Sequence, residues 1–140
     1  MRAVLDANVL ASALIRPEGP PGRIARRFLR DRAFDLVLSP NILDEVARCL
    51  RNPRVRKRIR LSDDEIELWV AGLALTAIVV PDTKSPVRVA KDPDDDKYVA
   101  AALEGHAAFI VSGDRHLLAL PEYQGVRSVP PRAFLDLIGA

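Results

Sequence analysis

Residues 91–120 read KDPDDDKYVAAALEGHAAFIVSGDRHLLAL, and this stretch decides the fold class. An acid-rich start leads into a helix of small residues, followed by a short apolar strand that ends at Ser112 and by another short helix. Alternation of helices with buried apolar strands is typical of domains built on a parallel sheet. Carboxylates stand at both chain reversals of the stretch, where the filling of a core does not require them. The stretch therefore predicts an α/β domain with acids at one edge of its sheet.

The rest of the chain continues this alternation. Strands are predicted over residues 2–6, 35–39, 78–80, 107–112 and 125–129. Helices are predicted over residues 7–15, 22–32, 62–76, 115–120 and 131–138, with a further helix from Pro40 that ends at Pro53, another that begins at Asp92, and a loop over 81–91. The pattern predicts a parallel sheet covered by helices on both faces.

Composition limits the class of protein. A chain of 140 residues with 49% hydrophobic and 29% charged residues fits one compact domain over 1–140. Its single cysteine, Cys49, allows no internal disulfide and makes no zinc-ligand spacing with the two histidines. Neither a membrane-spanning apolar run nor a signal-peptide pattern is present, so we expect a cytoplasmic protein without a membrane segment.

Three acids are expected to meet at the carboxyl edge of the sheet. Asp6 ends the first strand and Asp114 follows the fourth, and parallel strands place both at the edge where such sheets bind ligands. With Asp92 as N-cap and Pro93 as the first helical residue, Asp96 lies about one turn into its helix, on the side that faces the sheet. Carboxylates that converge in this way need a cation, and Mg²⁺ or Mn²⁺ prefers oxygen ligands.

All of these acids except Asp96 also have a simpler explanation. Asp6 and Asp114 can cap the helices that follow them, and Asp92, Asp94 and Asp95 suit the cap and first turn of a helix. Taken singly, these explanations are as good as a metal site for Asp6 and Asp114. Their joint convergence at one sheet edge favours the site.

Two neutral polar residues accompany these acids. Asn8 follows Asp6 by two positions, so its amide either orients that carboxylate or is an ordinary polar residue of a helix. Ser112 is either a polar strand end or a hydroxyl of the site.

Basic residues are concentrated in two places although the net charge is only +2. The stretch RCLRNPRVRKRIR at 48–60 contains no acid, and arginines recur at helical spacing over 23–30. They form either a solvated face or a footprint for a phosphate backbone, because guanidinium groups match phosphate oxygens. The residues we assign to a nucleic-acid backbone are Arg23, Arg27, Arg54, Arg56, Lys57 and Arg58.

Four motifs carry a resemblance to a known family: VLDANVL at 4–10, SPNILDEV at 39–46, and the stretches at 92–103 and 110–118. With them the chain resembles PIN-domain ribonucleases, and most closely the single-domain toxin components of toxin–antitoxin pairs. The resemblance covers nearly the whole chain, although residues 51–88 carry none of the diagnostic positions.

The resemblance implies a three-layer α/β/α sandwich with a central parallel sheet and a Mg²⁺ or Mn²⁺ site. The implied acids are Asp6, Glu45, Asp96 and Asp114, with Asn8 and Ser112 supporting them and Asp92 able to assist. Only the resemblance selects Glu45 over its neighbour Asp44. It further implies metal-dependent hydrolysis of RNA phosphodiester bonds, an antitoxin that inserts a basic segment into the acidic cleft, and a homodimer.

Two other classes of function remain open from the sequence. One is a non-catalytic PIN-like module that binds RNA or a protein partner. The other is a phosphatase-type phosphotransfer domain, which also uses an aspartate after the first strand. That class usually has a second aspartate two positions later, where this chain has Asn8.

Overall fold

The computed structural model of the protein describes residues 1–82 and 93–139. Its strands are β1 (Arg2–Leu5), β2 (Asp35–Leu38), β3 (Ile78–Val79), β4 (Phe109–Val111) and β5 (Arg127–Val129). Its helices are α1 (Ala7–Ile15), α2 (Pro20–Asp31), α3 (Pro40–Arg51), α4 (Pro53–Arg56), α5 (Asp63–Thr76), α6 (Asp96–Glu104), α7 (Arg115–Leu118) and α8 (Pro131–Leu137). A 3₁₀ turn over Pro93–Asp95 precedes α6.

The five strands in the described part of the chain form one parallel sheet in the order β3-β2-β1-β4-β5. Val4, Leu36, Val37 and Ile110 are buried in this sheet, as expected for strands covered on both faces. Helix α6 packs on β1 and β4, while α1 packs on α2 and α3, and α2 packs on α8. The predicted α/β/α sandwich is confirmed.

The order of the strands determines where the site lies. From the central strand β1 the chain proceeds outward through β2 and β3, and it then returns to β4 on the other side of β1. Ligands of open parallel sheets bind at such a reversal of strand order. Leu5 is in register with Val111, so the next residues, Asp6 and Ser112, leave the sheet side by side.

Local signals explain the ends of the helices. Pro40 begins α3, and the Ser39 hydroxyl accepts a hydrogen bond from the Ile42 amide. Ser62 and Glu65 form the predicted capping box of α5. Helix α3 ends as expected before Pro53, but this proline also begins the short helix α4, because proline is tolerated in a first helical turn.

Asp92 and most of the predicted loop over 81–91 lie outside the described residues. Among the helices in the described part, none has the length and apolar character that crossing a bilayer requires.

Candidate active site

A polar cavity of about 410 Å³ opens at the carboxyl edge of β1 and β4. Its lining is formed by Asp6, Asn8, Glu45, Arg48, Asp94, Asp95, Lys97, Tyr98 and Asp114. Three of the four predicted acids, Asp6, Glu45 and Asp114, are therefore brought to one cavity. They come from the end of β1, from α3 and from the start of α7, so only the fold brings them together.

Asp6 is held in place by the first turn of α1. Its Oδ1 accepts a hydrogen bond of 2.8 Å from the Val9 amide, as an N-cap side chain does. Its Oδ2 accepts a hydrogen bond from the Ser112 hydroxyl. The carboxylate is almost completely buried, with 2% of the residue exposed. The capping role and the site role of Asp6 are therefore compatible, since one oxygen caps the helix while the group faces the cavity.

Ser112 links the two central strand ends. Its hydroxyl donates to Asp6, and its oxygen accepts a hydrogen bond of 2.9 Å from the Asp114 amide. Asp114 in turn caps α7, because its Oδ1 accepts a 2.7 Å hydrogen bond from the His116 amide. Ser112 is thus a fully buried strand end that is bonded to the Asp6 carboxylate, and its role in the site stays a prediction.

The electrostatics of Asp6 set it apart from an ordinary helix cap. Burial, assisted by the nearby charges of Asp114 and Glu45, raises the pKa of Asp6 to about 6 despite the hydrogen bonds from Ser112 and Val9. An acid that is buried beside two others is stabilised by a positive charge. Perturbed carboxylates in a cleft are frequent at functional sites.

Glu45 and Asp44 occupy different surroundings on α3. Glu45 is half-buried and lines the cavity with Asp6, whereas Asp44 is exposed and lines an adjoining pocket. The acid selected by the family resemblance is thus the one that shares the cavity.

The α-helix that carries Asp96 begins later than predicted. The cavity is lined by Asp94 and Asp95, and Asp96 is not among its lining residues. The prediction assumed a regular α-helix from Pro93, but the chain first makes a 3₁₀ turn, in which successive side chains are rotated by 120° rather than 100°. Helix α6 therefore begins at Asp96, and the two preceding acids face the cavity. The metal-ligand role of Asp96 stays a prediction.

Asn8 lies at the rim of the cavity but does not orient Asp6. Within the described residues, the Asp6 carboxylate is bonded by Val9 and Ser112, while the Asn8 Oδ1 accepts a weak contact of 3.8 Å from the Cys49 thiol. Burial, followed by the charges of Glu45 and Asp6, raises the pKa of that thiol. The supporting role predicted for Asn8 toward Asp6 is therefore not observed.

Three lining residues were missed by the sequence analysis. The Lys97 ammonium forms an ion pair with Glu45, Arg48 lies one turn after Glu45 on α3, and Tyr98 is a buried residue of α6. The Tyr98 hydroxyl accepts a hydrogen bond of 3.2 Å from the Ala7 amide. Burial, followed by the charge of Glu45, raises the pKa of this phenol. The signal available in the sequence was a lysine and a tyrosine directly after a run of acids.

The predicted backbone-binding residues divide into two groups. Arg27 donates to the carbonyl oxygens of Ile138 and Gly139 and pairs with Asp31. Arg56 likewise pairs with Asp63 and donates to backbone carbonyls. Both guanidinium groups are therefore bonded within the protein. The other four assigned residues, Arg23, Arg54, Lys57 and Arg58, are exposed.

The cavity fits a hard cation in its chemistry, although its acids are not gathered around one point. Asp6, Glu45 and Asp114 offer carboxylate oxygens, and Asp6 is destabilised by the charges of the other two. In the structure of residues 1–82 and 93–139, no three His, Cys, Asp or Glu side chains converge closely enough to form a metal-binding group. The Glu45 carboxylate is paired instead with Lys97.

Comparison with known proteins gives one family model and one relative for this chain. The family model described as the PIN domain matches residues 2–116, which include Asp6, Glu45, Asp96 and Asp114. The uncharacterized protein MJ1680 of Methanocaldococcus jannaschii is similar to this chain, with 33% identity over 121 residues. The matched region covers 86% of this chain and 75% of that protein.

The burial of Asp6 predicts a pH-dependent effect on stability. Its pKa is raised from 3.8 to about 6, so ionisation of Asp6 lowers the free energy of unfolding. This loss of stability is absent below about pH 4 and complete above about pH 6. Asp6→Asn keeps the helix cap and removes the charge, so without metal we expect it to increase the free energy of unfolding by about 1–3 kcal/mol at pH 7.5. At pH 4 the gain should be close to zero. Urea denaturation in EDTA at the two pH values measures both quantities.

The control for this measurement is Asp44→Asn, which removes an exposed carboxylate from the same part of the molecule. It should change stability by less than about 0.5 kcal/mol at either pH. A loss of stability in Asp6→Asn at pH 7.5 would contradict the electrostatic account of this residue.

Proposed function

The chain belongs to the PIN domain family, whose members are generally nucleases, and we propose that it is a divalent-metal-dependent endoribonuclease. The observation that carries this proposal is the buried Asp6 carboxylate, which lies at the reversal of strand order with Glu45 and Asp114 close enough to raise its pKa. Three acids in one polar cavity are the ligands that Mg²⁺ or Mn²⁺ prefers.

Asp6 and Asp114 are the residues we expect to hold the ion, with Glu45 as a further ligand and Asp95 or Asp96 supplied by the start of α6. A bound Mg²⁺ or Mn²⁺ lowers the pKa of a water and stabilises the charge that develops on a phosphate. The protein contributes fixed positions: Val9 and Ser112 hold Asp6, and the Ser112 oxygen holds the loop that carries Asp114.

RNA is the proposed substrate because of the family and because of the exposed basic residues of the chain. Arg48 lies within the lining, and Arg23, Arg54, Lys57 and Arg58 are exposed elsewhere on the surface. Exposed guanidinium and ammonium groups bind a phosphate backbone by charge and by release of counterions. Binding by these residues should therefore weaken as the salt concentration is raised.

The nuclease proposal is tested by cleavage of a fluorescent single-stranded RNA in the presence of Mn²⁺ or Mg²⁺. We expect Asp6→Asn and Asp114→Asn to reduce the rate by a factor on the order of 10²–10³, because each removes a charge at the reacting centre. Asp44→Asn, in the adjoining pocket, should keep the wild-type rate. A single-stranded DNA of the same sequence distinguishes ribonuclease from general nuclease activity.

Undiminished cleavage in EDTA, or full activity of Asp6→Asn, would contradict the proposal. RNA binding without cleavage by the wild-type protein in either metal would instead assign the chain to the non-catalytic modules.

As the toxin of a toxin–antitoxin pair, the chain would act with two partners, a second copy and an antitoxin. The surface of α5 suggests that the chain binds a second copy of itself. Leu68 and Leu75 are 73% and 86% exposed, and Ala71 and Gly72 lie between them on the same side of the helix. An exposed apolar stripe is typical of an interaction surface. An antitoxin is suggested by the acidic cavity, which suits a basic segment of another protein.

Light scattering tests the homodimer. We expect the mass of two chains for the wild type, and the mass of one chain for Leu68→Glu/Leu75→Glu, because the charges would be buried in the interface. A single-chain mass for the wild type at about 50 μM would contradict the dimer.

Co-expression with the product of the neighbouring gene tests the antitoxin. We expect the two proteins to purify as a complex that does not cleave RNA, and the absence of any complex would contradict this proposal.

A further inference from the structure

The ion pair between Lys97 and Glu45 lies inside the acidic cavity. Both residues belong to the cavity lining, and their side chains are only 18% and 30% exposed. Lysine ammonium groups normally remain in water. This one instead contacts one of the acids that the proposed function assigns to a metal ion.

Its place in the helix is locally unfavourable. Lys97 is the second residue of α6, where the positive end of the helix dipole disfavours a cation. Two contacts compensate for this: the Glu45 carboxylate on α3, and the ring of the neighbouring residue Tyr98, whose centre lies 5.4 Å from the ammonium nitrogen. A cation that lies at an unfavourable position of a helix, and is stabilised there by contacts inside a cavity, is a candidate for a functional role.

Tyr98 lies close to both partners of this ion pair. Its buried hydroxyl accepts a hydrogen bond from the Ala7 amide, at the residue directly after Asp6. Glu45 is close to both side chains, since its charge acts on the Tyr98 phenol as well as on the Lys97 ammonium. The carboxylates of Asp6 and Asp114, in contrast, are hydrogen-bonded by backbone amides and by Ser112, with no ammonium or guanidinium paired to them among the described residues.

We propose that the Lys97 ammonium is the counter-ion of the Glu45 carboxylate, so that a divalent ion can use this carboxylate as a ligand only by displacing the ammonium. The cavity then has two parts. Asp6 and Asp114 form the part that is open to a metal ion, and Glu45 forms a part whose charge the protein itself neutralises. Lys97 is thus a positioning residue that limits the affinity of the site. The inference rests on the proposed function, because it concerns the metal that the function requires.

The test is calorimetric titration of the metal-free protein with Mn²⁺ alone. Removal of the ammonium frees Glu45, so Lys97→Met should bind Mn²⁺ about tenfold more tightly than the wild type, or should bind a second ion. Lys97→Gln should behave in the same way and guards against a folding defect of the first variant. Circular dichroism of each variant establishes that it is folded.

Arg48→Met is the matched control. Arg48 lines the same cavity and carries the same charge, but it makes no ion pair with a described residue. Its removal should change Mn²⁺ affinity by less than about threefold, the size expected for a screened charge without direct contact. The difference between the two variants isolates the contact with Glu45 from the general loss of a positive charge.

A double substitution makes the test specific. In Glu45→Gln the carboxylate is already absent, so adding Lys97→Met should give no further gain in Mn²⁺ affinity. The inference is overturned if Lys97→Met binds Mn²⁺ like the wild type or like Arg48→Met, or if its gain persists in the Glu45→Gln background. Failure of the wild type and all variants to bind Mn²⁺ would instead reject the metal dependence in the proposed function, and the inference with it.

Discussion

The burial of one carboxylate at the end of the central strand is the constraint on which the rest of this structure depends. Asp6 is 2% exposed and lies near two other acids, a state that burial and like charge both disfavour. The fold offsets this with fixed hydrogen-bond donors, the Val9 amide in the first turn of α1 and the Ser112 hydroxyl at the end of β4. The parallel register of β1 and β4 is what brings that hydroxyl to Asp6.

The remaining elements place both acidic and basic side chains in the cavity that Asp6 lines. Helix α3 contributes Glu45 and Arg48, the turn before α6 contributes Asp94 and Asp95, and α6 itself contributes Lys97. Acids exceed cations in the cavity, so it attracts cations while its own lysine neutralises one acid. The buried charge of Asp6 lowers the stability of the folded protein, which is the usual relation between stability and function in a polar cleft.

The sequence was sufficient for the features that depend on local pattern and topology. Alternating strands and helices predicted the sheet, and the ends of β1 and β4 predicted that Asp6 and Asp114 would meet. The start of α6 was not predictable from the sequence, because the chain forms a 3₁₀ turn at Pro93–Asp95 before the α-helix begins at Asp96. The ion pair between Lys97 and Glu45 was not predictable for another reason. The two residues belong to different helices, and only the packing of α3 on α6 brings them together.

The central claim is that the edge of β1 and β4 binds a divalent ion through Asp6 and Asp114. Anomalous X-ray diffraction from a crystal soaked in Mn²⁺ tests it most directly, because the scattering of the ion identifies both its position and its ligands. The account predicts an anomalous peak within about 2.0–2.3 Å of carboxylate oxygens of both residues, the range of ligand distances for a small hard cation. A peak elsewhere on the surface, or a cavity without a peak at a concentration that supports RNA cleavage, would contradict it.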